Sequence, residues 1–137
     1  MKNIKLKFLA LVTIIAGVTA ACSLDNNNEN TCYSSGYAFT TSVAGPDSTV
    51  VNKPITINFS FKLDNSCGSF NRVAETNSFP KDIYPIVEYS GCNCSTATTT
   101  LTKPYVFTAA TAGSYVLRFQ KDATPAYITK TIVVTAQ

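Results

Sequence analysis

Pro54-Ile55-Thr56-Ile57-Asn58-Phe59-Ser60-Phe61-Lys62-Leu63-Asp64 alternates apolar and polar side chains without a break. A period of two puts Ile55, Ile57, Phe59, Phe61 and Leu63 on one face of a strand, and Thr56, Asn58, Ser60, Lys62 and Asp64 on the other. A helix would scatter the apolar groups around its circumference. An oily sheet face needs a second layer over it, so the rest of the chain has to supply a covering sheet.

Working outward, residues 36–43 read as a first strand, closed by the turn Ala44-Gly45-Pro46-Asp47-Ser48. The deciding strand ends in Asp64-Asn65-Ser66-Cys67-Gly68. Residues 70–76 form a third run and 77–82 a breaker, followed by runs at 84–90, 99–108, 114–120 and 127–135. Seven short β-rich runs separated by turn signals, with no sustained helical period, predict an all-β sandwich of about seven antiparallel strands. In the sixth run Tyr115, Leu117 and Phe119 are expected inward, with Arg118 and Gln120 outward. In the seventh, Ile128, Ile132 and Val134 share one parity with Lys130. Either that lysine snorkels or a bulge shifts the register.

Thr111-Ala112-Gly113-Ser114-Tyr115-Val116-Leu117 resembles the Gly-x-Tyr segment at the start of strand F in immunoglobulin-like domains. The resemblance implies an immunoglobulin-like sandwich, with Tyr115 as a tyrosine corner whose hydroxyl bonds back to nearby backbone. Leu117 stands where antibody domains place a core cysteine, and the chain has no tryptophan. The likeness is therefore to bacterial modules with an aliphatic core.

The N-terminus reads as an address. Lys2, Lys5 and Lys7 precede an apolar run from Phe8 to Ala21, about 14 residues long where a membrane span needs about 20, which is the build of a secretory signal. Thr19-Ala20-Ala21-Cys22 resembles the lipobox of bacterial lipoproteins, with Thr19 in place of the usual leucine. This implies cleavage after residue 21, lipidation of Cys22 and a lipid anchor in the outer membrane of the cell envelope. Leu24 to Asn30 has little to bury and reads as a flexible tether over residues 22–31, ahead of a sandwich domain at 32–137. Asp25 and Glu29 loosely resemble the export signals of Bacteroidetes surface lipoproteins and leave both the periplasmic face and the cell surface open. Asp47-Ser48-Thr49 resembles the O-glycosylation triplet of the same group, with Ser48 as acceptor.

Charge and composition exclude several functions. The net charge of +3 is carried by Lys2, Lys5 and Lys7, so from Cys22 onward eight bases face eight acids. No basic stripe is left for nucleic acid. The chain has no histidine, which removes Ser-His-Asp and Cys-His nucleophiles and the usual neutral base. Paired carboxylates remain, and Glu75 and Glu88, both within strand readings, are the pair able to face one another across a sheet with a groove between them. The alternative is a solvated outer face with Arg72 or Lys103 as partners. The expectation is a protein that is not an enzyme and has no cofactor.

Cys32, Cys67, Cys92 and Cys94 make an even set in an exported chain and read as two disulfides. A Cys92–Cys94 ring would be strained, so each of the two joins Cys32 or Cys67, with Cys67–Cys92 and Cys32–Cys94 preferred. The competing reading is a thiolate site for zinc or copper. Tyr33, Tyr37, Tyr84, Tyr89, Tyr105 and Tyr127 exceed what a core needs. They point to a protein or glycan ligand met by exposed tyrosines, with the Thr-rich segment 95–102 a second carbohydrate-contacting candidate.

Overall fold

The computed structural model describes residues 32–137. The signal-peptide, Cys22 and tether readings lie outside the described residues. The nine strands are β1 (Tyr33–Tyr37), β2 (Thr40–Ala44), β3 (Ser48–Val50), β4 (Ile55–Leu63), β5 (Gly68–Glu75), β6 (Lys81–Ser90), β7 (Thr99–Phe107), β8 (Gly113–Gln120) and β9 (Tyr127–Thr135). They form a sheet of six strands, β1, β3, β5, β6, β8 and β9, and a sheet of three in the order β2-β4-β7. No helix is present among the described residues.

The deciding strand is β4, and its alternation is the burial pattern: Ile57, Phe59, Phe61 and Leu63 are buried and the residues between them face water or a neighbouring strand. The six-stranded sheet covers them with Ile83, Val87, Leu117, Phe119, Ile132 and Val134. Phe59 stacks on Phe61 at 5.8 Å and meets Phe119 at the same distance, so aromatic contact joins the two layers. Each fully buried side chain of this size contributes roughly 1.5–3 kcal/mol, and the seam between the sheets is the main source of stability.

All seven expected runs are strands, with three differences. The first run splits at Ala38-Phe39: β1 pairs with β6 in one sheet and β2 with β4 in the other. Ala38 is small enough to be buried at the crossing, where its N–H donates to the Pro85 carbonyl (2.9 Å). The supposed turn at Ser48 opens a further strand, β3, which runs parallel to β9. The third difference is that Lys81–Ile83 of β6 lie parallel to Leu117–Phe119 of β8. β5 lines the opposite edge of β6, so β1 and β8 share its other edge end to end.

Two local devices make the crossovers possible. Gly45 has φ 152°, and a Cβ there would lie 2.9 Å from the Thr56 carbonyl oxygen as the chain turns from β2 toward β3. The parity question in β9 is settled by snorkelling, because the β8–β9 register runs unbroken from Gly113–Val134 to Gln120–Tyr127. Lys130 keeps its inward position with a side chain only 15% exposed, and its ammonium reaches the rim. There it donates to the Gly45 carbonyl (2.7 Å) and pairs with Asp47.

Candidate recognition surfaces

The four domain cysteines collect at the end of the sandwich where the chain enters, and they form Cys32–Cys92 and Cys67–Cys94. The preferred order is corrected, and strand register is the reason. β1 runs antiparallel to β6 with Tyr33 opposite Ser90, which brings Cys32 to Gly91, whose N–H donates to the Cys32 carbonyl (2.9 Å). Cys92 is the next residue along. Cys67 flanks the other side of β6, its carbonyl accepting from Ser90 N (3.2 Å), and takes Cys94. A Cβ on Gly91 would lie 2.9 Å from Cys67 Sγ, so only glycine lets the chain pass here. With all four sulfurs bridged, the zinc or copper reading would require their reduction first.

Glu75 and Glu88 do not face each other. They lie toward opposite ends of the β5–β6 ladder, where Glu75 is opposite Ile83 and Glu88 opposite Ser69. The bulge at Phe70–Arg72 turns Glu75 toward the other sheet. There it accepts from Lys81 Nζ (2.8 Å) and from the Tyr105 hydroxyl (2.6 Å). Partial burial pushes the Glu75 carboxyl up, but these two hydrogen bonds outweigh it and hold the group below its ordinary value. Burial and the Glu75 contact raise Tyr105. Glu88 instead accepts from Asn71 on the outer face, so neither Arg72 nor Lys103 is the partner of either acid. The arrangement that glycoside hydrolysis requires is not formed by these two groups.

The Tyr115 hydroxyl donates to the Thr111 carbonyl (2.9 Å) and shares a 2.7 Å hydrogen bond with Thr111 Oγ1. Its ring meets Phe79 and Phe107 at 4.9 and 5.5 Å. Ser48 is exposed at the first position of β3, beside the Asp47–Lys130 pair.

The tyrosines separate by strand parity. On β6, Ile83, Pro85 and Val87 point inward, so Asp82, Tyr84, Ile86 and Glu88 line the outer face. Register then places Tyr33 and Tyr37 of β1, Arg118 of β8 and Tyr127 of β9 on that same face. Tyr37, 62% exposed, lies 5.4 Å from Tyr84, and the Arg118 guanidinium stands 4.7 Å from the Tyr127 ring centroid. Asp82 fixes Arg118 in a bidentate pair at 2.5 and 2.9 Å, which raises the guanidinium further. Burial, with hydrogen bonding to Tyr127 and Asp82, pushes the Tyr84 phenol up to about 12. The Glu88 hydrogen bond raises Tyr33. The other two tyrosines serve the scaffold: Tyr89 packs on the core and accepts from Asp64 N (3.1 Å), while Tyr105 turns inward to Glu75.

On the outer face Tyr37, Tyr84 and Tyr127 lie with the immobilised Arg118 toward one end of β6, and Tyr33 lies on the same face toward the other end; Tyr37 and Tyr33 are the most exposed rings, while Tyr84 and Tyr33 already hydrogen-bond within the face. Sequence reasoning found the tyrosines but not their common side, although Tyr84 has the opposite parity to Ile83 and Val87 and could have been assigned. Arg118 was placed outward without any role. Searches against protein-family models, curated proteins and solved structures give no match to this chain.

Proposed function

We propose that this chain is a non-enzymatic lipoprotein of the cell envelope, moored to the outer membrane through Cys22, whose sandwich binds a protein or glycan partner with the outer face of its larger sheet. The observation that carries the reading is the cluster of Tyr37, Tyr84 and Tyr127 with Arg118 on the outer face of the larger sheet, with Tyr33 on that same face farther along β6. Tyrosine and arginine are residue types enriched where proteins meet partners; tyrosine offers a large contact area with a polar tip at low entropic cost, and Arg118 is already held in place by Asp82. The chain's lack of histidine supports a role in recognition rather than catalysis. Nucleic acid is not the expected partner, since beyond the signal the charges balance.

The test is capture from native envelope with the anchored protein, comparing wild type with the Tyr37→Ala/Tyr127→Ala variant. Loss of specific captured components from the variant, with its circular dichroism showing it fully folded at the capture temperature, supports the reading. An identical captured set would refute the role of this face. The anchor is tested separately: labelled palmitate should enter the wild type and not Cys22→Ala.

A further inference from the structure

We infer that a groove at the end of the sandwich remote from the cysteines, between the end of β5 and the open edge of β7, binds one neutral sugar ring. The inference rests on the binding-protein reading but not on the tyrosine face. The groove has a volume of about 350 Å³ and is lined by Glu75, Phe79, Lys81, Tyr105, Val106 and Phe107, among others. That lies near the lower limit for small-molecule sites, about 300 Å³, and suits a single ring.

Its chemistry narrows the ligand. Glu75 and Lys81 are paired at 2.8 Å, so the mouth is electrically neutral and draws in neither anions nor cations. Both partners keep unused capacity: a carboxylate has about four acceptor positions and an ammonium three donors. The Tyr105 hydroxyl at 2.6 Å fills another of the Glu75 positions and fixes the group's orientation. Adjacent hydroxyls on a ring complement this arrangement, since each can donate to the carboxylate while accepting from the ammonium.

The walls are apolar. Phe79 remains 45% exposed although edge contacts to Phe107 (6.4 Å) and Tyr115 (4.9 Å) hold its ring in place, and Val106 is 63% exposed. A pyranose, with one C–H face and a polar rim, covers both kinds of surface at once.

The experiment is an NMR titration of the labelled protein with the methyl glycosides of glucose, galactose, mannose and N-acetylglucosamine. Saturable shifts at Lys81, Val106 and Thr108 are expected with at least one of them. Affinity should fall about tenfold or more in Glu75→Gln and in Phe79→Ala, the loss of one good contact. Should Phe79→Ala not fold, Phe79→Leu and the wild-type shift map decide. Tyr37→Ala should leave the titration unchanged, so failure here and failure of the tyrosine face are separate results. No saturable shift with any of the four sugars, shifts confined to the tyrosine face, or the dipeptide alanylalanine taking the groove in their place would each overturn the assignment.

Discussion

Removing the disulfides one at a time should reverse the order that loop length predicts. Cys32–Cys92 spans 60 residues and Cys67–Cys94 spans 27, and the two loops interlock. With Cys67–Cys94 intact, the shortest path from Cys32 to Cys92 runs through it and is about 37 residues, about 35 to Cys67 and about two from Cys94 back. Chain entropy then assigns about 3.8 kcal/mol to Cys32–Cys92 and about 3.5 kcal/mol to Cys67–Cys94. The folded state changes this order. Every residue of β1 is exposed, and what secures the strand is its backbone pairing with β6, the Tyr37–Tyr84 contact and the Tyr33–Glu88 hydrogen bond. Without its disulfide, β1 can peel back as far as buried Ala38, so the native state regains part of the freedom that the unfolded state gains. Cys67 is different: it lies between Leu63 and Phe70, both packed in the core, and its surroundings stay in place when the bridge is cut. The expected losses in urea unfolding are about 3.5 kcal/mol for Cys67→Ser/Cys94→Ser and about 2 kcal/mol for Cys32→Ser/Cys92→Ser. In the second variant the amides of residues 33–36 should exchange far faster than those of β4. A loss near 4 kcal/mol with β1 amides as protected as those of β4 would refute the reasoning.

Lys130→Met should change stability by less than about 1 kcal/mol in urea unfolding, because the stem is already buried and Asp47, left without its partner, is 81% exposed; Lys130→Ala, which empties the inward position, should cost about 2 kcal/mol. Tyr115→Phe removes the hydrogen bond to the Thr111 carbonyl and should cost about 1 kcal/mol by the same assay. Glu75 is held below its ordinary value in the folded state, so its contribution is whole above that value and is lost as the pH falls through the lowered one. Acid unfolding curves of Glu75→Gln should therefore be flatter than wild type below about pH 4.5, and coincident curves would contradict the assignment. Tyr84 has a folded value raised to about 12, so its contribution is whole below the ordinary phenol value and disappears as the pH rises from about 10 through 12. Phenolate absorbance should show Tyr84 and Tyr105 ionising late, as the fold is lost, and a single titration of all seven tyrosines near pH 10 with structure intact would contradict it.

The residues that announced themselves in the sequence were those buried on one side only. β4 could be read because one of its faces is core and the other is not, and the same holds for Leu117 and Phe119. What sequence alone left hidden was set by partners far along the chain. β3 is three residues long, shows no alternation, and exists because β9 runs beside it. The break at Ala38 was masked by Tyr37 and Phe39, which read as one continuous strand with their neighbours although the chain changes sheets between them. The disulfide order followed from the β1–β6 register, which a first strand beginning at residue 36 could not contain. The pairing of Glu75 with Lys81 and Tyr105 depended on a bulge in β5 that composition does not signal.

How this sandwich meets a partner is constrained by its edges. A sheet can recruit a partner by backbone pairing wherever an edge strand is long and regular. Here β2 and β5 each carry a register shift, which twists the edge and interrupts its ladder. β7 is the longest exposed edge. It is guarded by Pro104, which has no N–H to offer, and by Lys103, which points inward over the Phe70 ring at 5.3 Å. β1 and β3 are five and three residues long. Strand addition is thus opposed at these edges, which favours contact through side chains. Exposed ring surface lies beside polar groups in two places, the tyrosine face that includes Arg118 and the groove beside Phe79. A strand that sought to take the place of β1 beside β6 would have to displace it, and the Cys32–Cys92 disulfide opposes that.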